Sequence, residues 1–460
     1  MGNVADFHYY SIKLANGTTK QQERKTMNMT KKLCEDYAKL LWTDKVKINL
    51  PTKKLNDRVW SILDDKLNNF SIMFPDTIEK AFAFGTGALV EYIVNEQIRI
   101  DYIPAEQIIP YQYQNGNITG MIVLSQWVEG IGSKKKYYTH LTFHEYNETK
   151  YIKYNELYVS KDQSKLGKEL PFEEYFPNVE LYQEYETSTP HFQIIKPRIS
   201  NNFDISCPMG ISIYANHIDK LKAIDLKYDS LTNEFELGKK RILVDKSAIK
   251  PTISIDPTTE TETMISYFDS NDTVYQAISG MENQPVKDID FKLRVQDHIQ
   301  AIDKELGYLS AGAGLGQDFY SFDGSQVKTA TEVVSDNSDT FRSKQHHELI
   351  IRDVIYDLIK AILYLDGMPE DKVSKLQIEI VFDDSIIQDK EAELKKGLEL
   401  FMNKLISKEK FMRDYLGYTE DQIEEELLKI QEENKIILPE GLDFFGTDTE
   451  EETEEEDDVK

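Results

Sequence analysis

The residues whose types and spacing best suit chemistry are the glycines of Ala311-Gly312-Ala313-Gly314-Leu315-Gly316. Glycine runs let consecutive backbone amides close on a phosphate, so the first chemistry to consider is nucleotide binding. Phosphate loops of that kind follow a strand and open a helix. Here the run follows a helical pattern and lacks a Gly-Lys-Ser/Thr ending, so spacing favours a helix-to-helix connector. The polar residues in and after it, Gln317, Asp318, Tyr320, Ser321, Asp323, Gln326 and Lys328, make it a candidate mobile loop able to line a pore. An enzyme binding nucleotide through Gly312 to Gly316 is the alternative, and a helical cytoplasmic adaptor is a second.

Other constellations carry less. Phe84-Gly85-Thr86-Gly87 has one glycine pair and marks a helix end before a strand. His346-His347-Glu348 places its histidines on different helix faces, and His140 with His144-Glu145 lies in strand context, so both pairs are expected to be solvated or interfacial rather than metal ligands. Glu35-Asp36 and Asp383-Asp384 lack a convergent base or nucleophile. Two basic patches stand out, Lys134-Lys135-Lys136 in a turn and Lys239-Lys240-Arg241 at a helix end. A helix C-terminus alone attracts cations, and contact with a phosphate backbone is the functional alternative. No cofactor, metal or catalytic group is expected.

The elements around these residues alternate in texture. Amphipathic helices are predicted over Thr26 to Trp42 and over Val59 to Ile72. Strands are predicted over Ala88 to Val94, Ile98 to Ile103, Met121 to Trp127, Tyr137 to Tyr146 and Tyr151 to Val159, with Asn115-Gly116 and Asn147-Glu148 as hairpin turns. Helix resumes from Met209, with Tyr214, Ile218, Leu221, Tyr228, Leu231 and Phe235 on one stripe. A small excursion holds short strands at Arg241 to Val244, Thr252 to Ile255 and Val274 to Ile278. Val295, Ile299, Ile302, Leu306 and Leu309 then form a narrow helical seam. A long helix spans about Val327 to Leu365, polar first and apolar later. Leu376 to Phe382 alternates as a strand expected to rejoin the earlier sheet, and Lys390 to Asn434 is helical, with Thr419-Glu420-Asp421-Gln422 as a capping box.

The 460 residues carry a net charge of −27, with nine acids and one lysine between Asp448 and Lys460. So acidic a surface repels phosphate at long range and argues against tight, static binding of a duplex, though not against a duplex sliding past. Cys34 and Cys207 form no disulfide or metal pattern and fit a reducing cytoplasm. No apolar run approaches the ~20 residues that span a bilayer, so no membrane role is expected.

In their order these features resemble the portal proteins of tailed phages, of the type found in siphophages of Gram-positive bacteria. The most specific stretches are Met29-Thr30-Lys31-Lys32-Leu33-Cys34-Glu35-Asp36-Tyr37-Ala38, Pro208-Met209-Gly210-Ile211-Ser212, Val327-Lys328-Thr329-Ala330-Thr331-Glu332, and Ile406-Ser407-Lys408-Glu409-Lys410 onward to Glu433. The resemblance implies an α+β portal fold. Residues 1–209 would be a mixed α/β wing, with 367–386 returning to it. Residues 210–240 and 290–309 would be two stem helices, 241–289 a small α/β clip, and 310–326 the channel loop. Residues 327–366 would be a long kinked helix, 387–446 a helical crown, and 447–460 an acidic disordered tail. It further implies a homo-oligomeric ring, typically of twelve subunits, at one capsid vertex of the virion, assembled in the host cytoplasm. Double-stranded DNA would pass through without sequence specificity. The partners would be the terminase large subunit, a head-tail connector, and scaffold and major capsid proteins, with catalysis belonging to the terminase.

Overall fold

The structure, a computed structural model, describes residues 5–13, 17–238, 241–245, 252–255, 262–265, 275–278, 286–289, 292–321, 330–383, 390–418 and 420–437. The chain divides into two units, Met1–Ile387 and Gln388–Lys460. The first opens with α1 (Ala5–His8), the hairpin β1 (Tyr9–Lys13) and β2 (Thr19–Glu23), α2 (Met29–Leu41), β3 (Lys47–Asn49), α3 (Lys53–Leu63) and α4 (Phe70–Phe84). Strands β4 (Gly87–Val94), β5 (Gln97–Pro104), β6 (Ile108–Gln114), β7 (Asn117–Glu129), β8 (Lys136–Tyr146), β9 (Tyr151–Ser160) and β10 (Lys168–Leu170) follow. Next come α5 (Phe172–Tyr175), β11 (Tyr182–Tyr185), β12 (Phe192–Ile195) and α6 (Ile218–Leu237). Five short strands, β13 (Arg241–Asp245), β14 (Thr252–Ile255), β15 (Glu262–Ile265), β16 (Tyr275–Ile278) and β17 (Val286–Ile289), precede α7 (Val295–Gly312). The unit closes with α8 (Ala330–Leu365), α9 (Glu370–Val373) and β18 (Glu379–Val381), and the second unit holds α10 (Lys390–Met402), α11 (Lys408–Asp414) and α12 (Glu420–Ile437).

The main core forms where α2, α3, α4 and α8 bring their apolar stripes together. Spacing of three and four residues puts Leu33, Tyr37 and Leu41 on one side of α2, opposite Phe74, Ile78 and Phe82 of α4 and Ile355, Leu358 and Ile362 of α8, all buried. Full burial of each such side chain contributes about 1.5–3 kcal/mol before entropy is counted. The apolar second half expected of the long helix fits this, since the α8 side chains buried in that core run from Ile351 to Leu363. A second apolar layer, Val90, Ile103, Met121, Val123, Tyr151 and Phe192, joins the three-stranded sheet β12-β4-β5 to the meander β10-β9-β8-β7-β6, on which β11 also pairs with β9.

Several sequence expectations change. The stretch Val59 to Ile72 is two helices rather than one, because Asn69 takes a left-handed conformation before α4 and the buried Asn68 side chain donates to the carbonyls of Ile62 and Ile98. Strand β18 pairs with β3 in a separate two-stranded ribbon and does not rejoin the meander. The excursion contains two strands that patterning missed, β15 and β17, and β17 returns antiparallel to β13 so that its ends close together. Gly85 ends α4 with φ +89°, as expected of a helix stop. Thr419, the first residue of the expected capping box, lies outside the described residues, as do residues 438–460, which include the acidic tail.

Two of the four histidines are buried rather than solvated, and His140 is half-buried. His144 is buried, with Nδ1 2.7 Å from the Tyr151 hydroxyl, and burial holds its pKa well down. His347 is buried against the rings of Tyr37 and Phe82, and its Nδ1 accepts the Arg198 amide at 3.0 Å, which fixes a neutral tautomer. Burial pushes its pKa down to about 4. Only His346, beside it, stays exposed. No cluster of metal-binding side chains exists among the described residues.

Glu91, on β4 opposite His191, is 1% exposed, and one of its oxygens accepts from Gln193 Nε2 at 3.0 Å while the other has no partner. Burial first, offset in part by that hydrogen bond, raises its pKa to about 8. A raised folded pKa means the folded state holds a proton that the unfolded state has released. The carboxyl therefore costs about 1.4 kcal/mol per pH unit between roughly 4.5 and 8. Glu91→Gln is expected to gain stability relative to wild type as pH rises across that window, measured by denaturant unfolding at pH 5 and pH 8. A difference independent of pH would contradict the buried, protonated state.

Candidate functional site

Helices α6 and α7 lie antiparallel, as three polar contacts define. Glu234 near the end of α6 takes the Arg294 guanidinium through paired contacts of 3.1 and 2.9 Å just before α7 begins. Lys227 meets Glu305 at 2.7 Å, and Lys220 near the start of α6 donates to the Tyr308 carbonyl at 3.0 Å near the end of α7. The Arg294 hydrogen bonds hold the Glu234 carboxyl at about 2. Between these contacts Leu221 and Ile224 pack on Ile302, Leu306 and Leu309, with Met29 of α2 completing the cluster. Of the seam residues, Ile302 and Leu306 are buried there, and Val295 and Ile299, nearer the free end, are half-buried. Leu226, Phe235 and Tyr308 of the same pair point away and are exposed in the single chain.

The N-terminal hairpin is tethered to this pair. Asp225 of α6 accepts from the Thr26 hydroxyl at 2.9 Å and the Met27 amide at 2.8 Å and lies 3.0 Å from His8 Nε2. One turn on, Asp229 accepts the Lys25 amide at 3.0 Å. Two acids four residues apart on one helix thus hold the base of a hairpin that buries little of its own.

The glycine run does not behave as a mobile connector. The Leu315 amide donates to the Ser310 carbonyl at 2.9 Å and the Gly314 amide to the Ala311 carbonyl at 3.2 Å, while Gly314 has φ +84°. That is a Schellman helix stop with glycine at the left-handed position. The cap is then seated on α2 and α8. The buried Tyr37 hydroxyl donates to the Ala313 carbonyl and lies 2.9 Å from Ser343 Oγ, the Gly316 amide donates to Thr340 Oγ1 at 2.9 Å, and the Tyr320 hydroxyl donates to Asp36 at 2.9 Å. Burial pushes the Tyr37 hydroxyl up to about 12 and raises Tyr320 further still, the latter helped by Asp36. The amides of Gly314, Leu315 and Gly316 are therefore spent inside the fold and do not form a phosphate cradle. Ala313 and Leu315 are buried, whereas Gly312, Gln317 and Asp318 face outward and Ser321 is half-buried.

Asp323, Gln326 and Lys328 lie outside the described residues, as do Lys239 and Lys240; Arg241 is described as the first residue of β13 without its side chain. Sequence reasoning missed Tyr37, Thr340 and Ser343 and gave Asp36 no role. They belong to the site only because α2 and α8 meet, and no local spacing signals that.

Among the described residues nothing assembles a nucleophile, a base and an oxyanion donor, and the distinctive construction is a long helix pair with a rigid cap. The sequence matches the phage portal protein family, SPP1 Gp6-like, over residues 4–439, and the chain belongs to that family. It is a phage portal protein, a structural component of the virion and not an enzyme. No curated protein sequence matches it significantly. Among solved structures, a chain from the virion of a native gene transfer agent particle is similar at 10% identity, with 85% of this chain and 88% of that chain covered and a TM-score of 0.40. A chain from the neck of an empty gene transfer agent particle, computed with C6 symmetry, is similar at 9% identity, 85% and 89% coverage and a TM-score of 0.39. These likenesses are too remote to bear on function, and the family assignment stands on the sequence match.

Gly314→Ala forces an L side chain into the left-handed region and sets its Cβ 2.8 Å from Ser343 Oγ. The expected cost is about 1–2 kcal/mol of unfolding free energy, measured by urea denaturation. An unchanged midpoint would contradict the cap.

Proposed function

We propose that this portal protein is one subunit of a ring of about twelve at a single capsid vertex, the conduit through which double-stranded DNA is packaged and ejected. The observation that carries this reading is the α6/α7 pair. Its inner seam is closed within one chain, while Leu226, Phe235 and Tyr308 leave apolar surface on the outside for neighbouring subunits. In this reading α6 and α7 are the stem, β13 to β17 the clip that meets the terminase large subunit and later the head-tail connector, and the second unit the crown. The elements to about residue 209, with β18, form the wing, which contacts scaffold and major capsid proteins.

The DNA-facing part of the channel loop is proposed to begin at Gln317 and to include Asp318, Ser321, Asp323, Gln326 and Lys328, with Gly312 to Gly316 and Tyr320 as its anchor. Lys239, Lys240 and Arg241 are proposed phosphate contacts at the stem-clip junction. A net charge of −27 suits passage, because each fixed cation that neutralises a phosphate releases counterions and tightens binding, which would hold the duplex in place.

Gln317→Lys adds one cation per subunit at an exposed position. It is expected to leave ring mass unchanged and to lower the yield of packaged DNA several-fold at low salt, with recovery as salt rises, measured by nuclease protection with capsids and terminase. Wild-type yields at every salt concentration would remove Gln317 from the channel wall.

A further inference from the structure

The meander carries opposite charges at its two ends. Lys136 opens β8 opposite Glu129 of β7, Tyr137 pairs with Ser160 at the end of β9, and Lys168 of β10 pairs with Val159, so the β7-β8 and β9-β10 connections lie side by side. That register gathers Lys134, Lys135 and Lys136 with Lys161, Lys165 and Lys168, all exposed. Lys165 pairs with Asp162 at 3.7 Å, and the other five make no ion pair among the described residues. Glu129 and Glu169 flank the two connections, and Glu173 and Glu174 follow on α5. Ile131, 90% exposed, and Leu166 add apolar side chains at the same end.

Toward the other end of β9 the sign reverses. Strand β11 pairs with β9 from Tyr182 opposite Tyr154 to Tyr185 opposite Tyr151, and with no other strand among the described residues. Glu180, Glu184 and Glu186, on and beside β11, and Glu148 in the β8-β9 turn are exposed, as are Leu181 and Tyr182. The cations nearby are committed: Lys150 pairs with Glu184 at 2.5 Å, and Lys153 Nζ lies over the Tyr92 ring at 4.8 Å. Glu148, Glu180 and Glu186 make no ion pair among the described residues.

Ser160 and Ile152 stand eight residues apart on β9, about 25 Å at the rise of an extended strand. The lysines of the two connections therefore do not reach the β11 edge of their own chain. Two surfaces of unlike charge on one chain, each with exposed apolar side chains beside it, suit a head-to-tail contact, and head-to-tail contacts that close make a ring. We propose that the β7-β8 and β9-β10 connections of one copy dock on the β11 edge of the next, setting Lys134, Lys135, Lys136, Lys161 and Lys168 against Glu148, Glu180, Glu184 and Glu186. The occupant of each surface is a second copy because its complement is present on the chain and out of the chain's own reach; the inference rests on the ring reading above.

The test uses the full chain and native mass spectrometry to find the protein concentration at half-assembly. One variant carries Lys134→Glu, Lys135→Glu and Lys161→Glu, and another carries Glu148→Lys, Glu180→Lys and Glu186→Lys. Each is expected to raise that concentration at least tenfold, and a chain carrying both sets is expected to return to within about threefold of wild type, because the swapped charges again attract. Wild-type assembly by each variant, or a combined chain that assembles no better than either, overturns the head-to-tail contact and leaves the ring reading standing. Wild-type protein that forms no ring overturns both. Loss of binding to a short DNA duplex by the lysine variant, with assembly unchanged, assigns these lysines to phosphate and overturns the contact. If a variant fails to fold, carbodiimide coupling in wild-type rings mixed from light and heavy nitrogen-labelled chains decides: amide bonds joining these lysines of one label to the β11-edge glutamates of the other support the contact, and cross-links within one label alone overturn it.

Discussion

The hydroxyl of Tyr37 sits where three elements must agree. It is carried by α2, donates to the last turn of the α7 cap at Ala313, and meets Ser343 on α8. A buried hydroxyl left unpaired costs on the order of 1–3 kcal/mol, so this contact rewards only the arrangement in which α7 stops at Gly312 and the chain turns to cross α8. Its neighbours act the same way. Asp36 takes Tyr320 and Thr340 takes the Gly316 amide, so the segment from Ala313 to Tyr320 is held at both ends and the middle. The position of the helix pair relative to the main core, and the point from which the following residues depart, both depend on this polar knot.

The consequence for function is a division of labour along a short stretch of chain. Glycines that look built for motion serve a stop signal, and the outward polar residues begin only after it. In the ring proposed above, such a root would keep each subunit's loop at the same height, and the chemistry of the residues beyond it could vary without disturbing the helix pair. The ion pairs of α6 and α7 have a related role. They set the register of two helices at partly exposed sites, where each pair adds little stability but opposes sliding.

Much of the fold was legible in sequence wherever local patterning decides it. Strands β4, β5, β7, β8 and β9 read as β-rich runs separated by turn residues such as Asn115-Gly116, which sits at positive φ in both positions, and their bounds fall within a few residues of expectation, whereas β6 (Ile108–Gln114) was missed. β12 escaped because Phe192 to Ile195 is four residues with three buried, a run without alternation. The break between α3 and α4 escaped because an asparagine in a left-handed conformation leaves no mark on helical periodicity. The candidate site was half legible: the seam from Ile302 to Leu309 follows from spacing, but the partners that make the glycine run rigid lie as far away as Tyr37, 276 residues earlier. His347 was misjudged for the same reason, since Tyr37 and Phe82 close over it only in three dimensions, while its neighbour His346 is exposed as expected.

The central claim is that α6 and α7 form the wall of a channel in a ring of these chains. A cryo-electron microscopy reconstruction of the purified assembly tests it most directly. The account predicts a ring with a central opening lined by the α6/α7 pair, with the residues that follow Tyr320 entering the opening from a fixed root at the α7 cap. A ring whose opening is lined by the β6 to β10 meander, with the helix pair on its outer rim, would contradict it.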